Sequence, residues 1–194
     1  MSHPPALVGD RGRALVLGST SRYRRELLER LRIPFIVESP DVDETPLSGE
    51  SPRELALRLA LAKARAVARR HPQAVVIGSD QVADLHGEPL GKPGTHERAL
   101  GQLRRMRGQS VVFQTAVAVV CDATGFEQLE LGPAELRLAR RLVAGVWQRF
   151  DQVPRNIVNL HVSFNPLIHG HFARAGRVFA ASFIIRCVAA KRKA

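Results

Sequence analysis

The sequence predicts an α/β protein, and three stretches carry that prediction. Ala14-Leu15-Val16-Leu17-Gly18 is an apolar run that breaks into Ser19-Thr20-Ser21-Arg22-Tyr23-Arg24-Arg25 and resumes at helical spacing with Leu27, Leu28 and Leu31. That is the pattern of a strand, a hydroxyl-rich turn and a helix. Ser51-Pro52-Arg53-Glu54 sets a capping serine, a proline at the first helical position and a glutamate at the third ahead of a second periodic segment. Ala74-Val75-Val76-Ile77 is the short continuous apolar run of a strand covered on both faces. With 194 residues, 45% of them hydrophobic and 24% charged, the chain suits one intertwined unit with a sizeable core.

The elements follow in order. After the first strand and helix, Ile33 to Val37 has strand character, and Ser39 to Gly49 is a proline-containing acidic loop holding Asp41, Asp43 and Glu44. The helix opened by Ser51 carries Leu55, Leu59, Ala62, Ala66 and Val67 on one face and basic residues on the other, until His71-Pro72 stops it. The strand at Ala74 delivers the chain into Gly78-Ser79-Asp80-Gln81, with Val82, Ala83 and Leu85 as its extension and His86-Gly87 as a turn. Gly91-Lys92-Pro93-Gly94 leads to a helix near residues 96 to 107 with Ala99, Leu100, Leu103 and Met106 inward. Ser110 to Val120 is strongly strand-forming, and Asp122 to Gly125 is a hairpin turn. Residues 134 to 150 have helical amphipathicity through Leu136, Val143 and Trp147, and Val178 to Val188 reads as a final strand.

A net charge of +11 points to an acidic partner such as a phosphorylated small molecule or nucleic acid. The excess is uneven: residues 136 to 194 hold eleven arginines and lysines against the single acid Asp151. Cys121 and Cys187 form no metal or redox motif and are expected as free thiols. Residues 1 to 13 contain no apolar stretch long enough for a signal peptide, and no run long enough to span a membrane follows. The expectation is a soluble cytoplasmic protein without membrane contact.

Several residues could carry chemistry. Ser19, Thr20 and Ser21 can cap a helix whose free N–H groups favour an anion, and Arg24 and Arg25 offer forked donors matched to phosphate oxygens. An ordinary capped surface helix would look the same. Asp80 stands just beyond a glycine at a strand end, where open α/β sheets place ligands, although an aspartate there can simply cap a turn. Lys92, between Gly91 and Pro93, is either a plain loop lysine or an ammonium aimed at phosphate by a rigid backbone.

Taken together, Ser19 to Leu28, Val42-Asp43-Glu44-Thr45, the Glu54 to Lys63 helix, Gly78-Ser79-Asp80-Gln81-Val82 and Gly91-Lys92-Pro93 resemble the Maf family of nucleoside triphosphate pyrophosphatases in order and spacing, over about residues 14 to 121. The resemblance implies a Maf/ITPase-like mixed sheet flanked by helices, with two lobes around a nucleotide cleft and usually a homodimer. It implies hydrolysis of a nucleoside triphosphate to the monophosphate and pyrophosphate with a divalent cation, Mg or Mn. Carried over position by position, Asp80 is the proton acceptor that activates water. Ser19, Arg24, Arg25, Lys63 and Lys92 bind the triphosphate, and Glu44 is the metal-side carboxylate. Tyr23 before Arg24-Arg25 and Gln81 after Asp80 resemble the 7-methyl-GTP pyrophosphatase subgroup. An aromatic face at Tyr23 would stack on a cationic methylated guanine, or else cover the sheet edge.

The resemblance stops short of the end. The family's later cysteine-alanine-glycine and lysine-glutamate-glycine motif has no counterpart, and the tail instead offers His169, His171 and Lys191-Arg192-Lys193. His169 and His171 read as loop residues rather than metal ligands, since no acidic or sulfur partner lies nearby in sequence. Residues 1 to 194 are read as one domain whose segment 122–194 is atypical, the product of a reading-frame change after roughly residues 121 to 135. The competing functional class is a non-catalytic nucleotide- or nucleic-acid-binding protein affecting septum formation. Nucleic acid is the less favoured partner.

Overall fold

The computed structural model describes residues 7–8 and 13–137. Their order is β1 (Leu7–Val8), β2 (Arg13–Gly18), α1 (Arg22–Glu29), β3 (Ile36–Glu38), α2 (Pro52–Ala68), β4 (Val75–Leu85), β5 (Glu88–Leu90), α3 (His96–Met106), β6 (Ser110–Cys121), a short 3₁₀ turn at Asp122–Thr124, and β7 (Phe126–Arg137). The strands form one mixed sheet ordered β1-β2-β4-β6-β7, with β3 added to β2 and β5 to β4. β2 pairs in parallel with β3 and β4, whereas β4–β6 and β6–β7 are antiparallel. The predicted α/β class, a mixed sheet flanked by helices, is the one observed.

Alternation along the strands divides the core between two faces. Leu15, Leu17, Ile77, Val117 and Val119 pack with Leu28 of α1 on one side. Val16, Val76, Val82, Ala116, Ala118 and Val120 pack with α2 on the other. A third cluster, Ala83, Leu85, Met106, Val111 and Phe113, lies beneath α3.

The start of α2 is the capping box that the sequence announces. Glu54 N–H donates to Ser51 Oγ at 3.3 Å, and Ser51 N–H donates back to Glu54 Oε2 at 2.9 Å, with Pro52 at the first turn. The helix then approaches the sheet unusually closely. Ala56, Ala60, Ala64 and Ala68 are fully buried at four-residue spacing, and Gly18 and Gly78, paired in register on β2 and β4, lie beneath. A Cβ on Gly78 would stand 2.3 Å from the Ala60 carbonyl oxygen and 2.5 Å from the Ala64 nitrogen. Leu55, Leu59 and Val67 complete the contact, each burial worth about 1.5–3 kcal/mol.

Some expectations shift. Ala62, expected on the apolar face, is half-buried, and Lys63 is buried. The strand expected at 33–37 is confined to Ile36–Glu38, the three residues that pair with β2; Pro34 has no N–H for a ladder. β1 and β5, too short to leave a periodic signal, were not anticipated. The helix expected from residue 134 is contradicted over residues 134–137, which continue β7 along β6 from Phe113↔Ala134 to Ser110↔Arg137. Twelve residues of cross-strand pairing override a local helical pattern. The rest of that helix, the strand at 178–188, His169, His171 and Cys187 lie outside the described residues. Cys121 is a buried free thiol. Among the described residues, no helix is long and apolar enough to cross a membrane.

Candidate active site

The close contact of α2 with β4 brings two charged residues together inside the fold. Lys63 Nζ donates to Asp80 Oδ1 at 2.7 Å, with the two residues only 5% and 8% exposed. A buried ammonium and carboxylate are tolerated together because each offsets the other's lost hydration. The acidic loop before α2 supplies a second carboxylate: Glu44 Oε1 lies 2.6 Å from Lys63 Nζ, and its Oε2 lies 3.3 Å from Lys92 Nζ in the loop after β5. An ammonium has three donors; Asp80 and Glu44 engage two of them.

The turn after β2 completes the cluster. Buried Ser19 places its Oγ where Ser21 N–H donates at 3.2 Å and Arg24 Nη1 at 3.3 Å. Ser21 caps α1, accepting from Arg24 N–H at 3.4 Å. Burial pulls the Arg24 guanidinium below the ordinary arginine value, opposed by the charges of Asp80 and Glu44. Arg24 therefore belongs electrostatically to the same group. Partial burial works to raise the Glu44 carboxyl, but the hydrogen bond and charge of Lys63, backed by Lys92, outweigh it and hold it below the ordinary glutamate range.

A carboxylate held low in the folded state stabilises the fold above its unfolded value and loses that contribution as pH falls through the folded value. Stability is thus expected to decline as pH drops through the ordinary glutamate range and below it. Glu44→Gln should flatten that acid limb in urea titrations from pH 6 down to about pH 3. An unchanged limb would place Glu44 outside the linked groups.

Ser19, Arg24, Glu44, Lys63, Asp80 and Lys92 thus converge. Arg25 does not join them. It is exposed, pairs with Glu29 at 2.9 Å, and lines a separate cleft of about 620 Å³ with Arg32 and Phe35. Gln81, one residue after Asp80 and therefore on the other sheet face, donates its amide to Thr115 Oγ1 at 2.7 Å. Tyr23 is half-buried on α1. The sequence reading missed the two glycines that admit α2, whose signal was the alanine repeat at 56, 60, 64 and 68. It also missed the Arg58–Glu50 pair, which leaves no local signature.

Among the described residues, no cluster of three or more His, Cys, Asp or Glu side chains stands ready to hold a metal. Two hard-oxygen donors bracketing one ammonium nevertheless fit a cation that takes one or two protein carboxylates and completes its shell with phosphates and water.

The profile of the Maf-like protein family matches residues 14–140, and the chain belongs to that family. The match runs past residue 121, where the sequence resemblance stopped. Individual relatives named 7-methyl-GTP pyrophosphatase include one from Polaromonas sp. strain JS666, 78% identical over 119 residues, which are 61% of this chain and 54% of that protein. Another, from Albidiferax ferrireducens, is 64% identical over 124 residues, 64% of this chain and 62% of that protein. A third, from Aromatoleum aromaticum, is 61% identical over 123 residues, 63% of each. The chain spans between about half and just under two thirds of these relatives' length.

Proposed function

We propose that this chain is a nucleoside triphosphate pyrophosphatase acting on 7-methyl-GTP or a related modified nucleotide in a cleft between two lobes. The observation that carries the proposal is the buried Lys63 held between Asp80 and Glu44, in a chain so similar to proteins named for that activity.

The residues divide the work by chemistry. Lys63 fixes Asp80 through Oδ1, and among the described residues nothing hydrogen-bonds Oδ2, which is left to accept a proton from water. The water oxygen then forms a bond to the α-phosphorus, and the bond from that phosphorus to the bridging oxygen breaks. The products are the monophosphate and pyrophosphate, with Asp80 holding the water's proton until solvent takes it. Arg24, Lys92 and the third donor of Lys63 meet the charge gathering on the pyrophosphate oxygens, with Ser19 as a neutral partner. Arg25 joins them only by exchanging Glu29 for a phosphate. Glu44 would hold a divalent cation, which when bound neutralises phosphate charge and acidifies water. Tyr23 stacks on the base; Gln81, bonded to Thr115 on the other sheet face, is the second position of the 7-methyl-GTP subgroup pattern. The protein works in the cytoplasm, as a homodimer.

Incubation of the purified chain with Mg or Mn and a panel of 7-methyl-GTP, GTP, dTTP and UTP tests the reading. Release of pyrophosphate and monophosphate in equal amounts is expected, fastest from 7-methyl-GTP. Absence of monophosphate from every nucleotide would refute it.

A further inference from the structure

The loop that carries Glu44 has no regular structure of its own between Glu38 and Glu50, yet it delivers a carboxylate to within hydrogen-bonding distance of Lys63. Two arginines bind that loop on either side of Glu44. Arg58 of α2 donates Nε to Glu50 Oε1 at 2.5 Å and Nη2 to Glu50 Oε2 at 2.8 Å, and the same Nη2 reaches the Thr45 carbonyl at 3.0 Å. The Glu50 side chain is 8% exposed, and its Oε2 also accepts from Leu47 N–H at 3.0 Å. At the other end Arg70, just past α2, donates to Glu38 and to the Ser39 carbonyl, and His71 meets the second oxygen of Glu38. The hydrogen bonds that Arg58 donates to Glu50 hold its guanidinium above the ordinary value.

A forked guanidinium bound to a carboxylate and a carbonyl fixes direction as well as distance, which a lysine cannot do. Both anchors rise from the segment that carries Lys63, so loop and ammonium are referred to one rigid body. We infer that Arg58 and Arg70 are positioning residues that clamp the 39–50 loop onto α2 and so hold Glu44 between Lys63 and Lys92. The role in metal binding rests on the proposed assignment of Glu44; the clamp itself does not.

The test compares Arg58→Gln, Arg58→Lys and Arg70→Gln with Arg65→Gln, which breaks an arginine–carboxylate pair of the same kind, with Glu127, without touching the loop. Hydrogen–deuterium exchange of residues 39–50 reads loop position, and Mn²⁺ affinity with an α,β-methylene triphosphate reads the site. Arg58→Gln should speed loop exchange and weaken Mn²⁺ by about tenfold, as loss of a ligand's supporting partner does. Arg58→Lys should fall between it and the unaltered chain, and Arg70→Gln should affect mainly residues 39–43. Arg65→Gln should leave both readouts alone. Unaltered exchange in Arg58→Gln overturns the inference. So does Mn²⁺ affinity that falls in Glu44→Gln but not in Arg58→Gln. If Glu44→Gln and the unaltered chain bind Mn²⁺ alike, the metal assignment of Glu44 fails, and the exchange result alone judges the clamp.

Discussion

Asp80→Asn is expected to slow triphosphate hydrolysis by about 10²–10⁴-fold, the usual contribution of a positioned general base. The amide keeps the shape and can still accept from Lys63 Nζ through its oxygen, so the 2.7 Å contact survives without the charge. It cannot take a proton from water. Affinity for an α,β-methylene triphosphate should be unchanged or tighter, because a negative charge facing the phosphates has been removed. Lys63 keeps Glu44 as a counter-ion, which limits the structural cost. The informative measurement is therefore a pair, single-turnover rate and analogue affinity. A rate within a few-fold of the unaltered chain would remove Asp80 from the reaction, and a parallel collapse of affinity would recast it as a binding group.

Gly78→Ala is expected to destabilise the fold by about 3 kcal/mol, the upper part of the range for overpacking a well-filled core. The added methyl would meet the backbone of α2 at Ala60 and Ala64 rather than a side chain able to swing away. The helix must lift, and Lys63, the residue before Ala64, lifts with it. The identical substitution at Gly101, inside α3 with nothing within 4 Å of the new methyl, is expected to stabilise by about 0.5–1 kcal/mol, since alanine suits a helix better than glycine. Urea midpoints of the two variants should move in opposite directions. A neutral Gly78→Ala would mean that the approach of α2 can relax at little cost.

Local chemistry made the first two helices and the central strand legible. The Ser51-Pro52-Glu54 box, the Ala74–Ile77 run and the Ser19–Ser21 turn each act over a few residues, and each appears where its pattern places it. The site was legible as a set of residue types carried over from a resemblance. Its geometry was less so: the four-residue steps Leu55, Leu59, Lys63, Val67 set Lys63 on the apolar face, but nothing in the order of the chain says that Gln81 binds Thr115, or that Arg25 turns to Glu29. Those outcomes depend on tertiary context, including which sheet face a residue occupies. The misread helix at residue 134 has the same origin, since β6 supplies the pairing that the local pattern cannot see.

The alanine repeat of α2 also bears on entropy. Alanine has no rotamers to lose, so seating the helix through Ala56, Ala60, Ala64 and Ala68 freezes backbone alone. Lys63 carries the largest side-chain cost on that surface: ordering a lysine costs on the order of 1.5–2 kcal/mol, more than a leucine. The fold meets that cost when Asp80 and Glu44 capture the ammonium, before any nucleotide arrives. On the proposed function, a triphosphate would meet an ammonium that has already surrendered its freedom, and its affinity would be correspondingly less diluted by disorder at that contact.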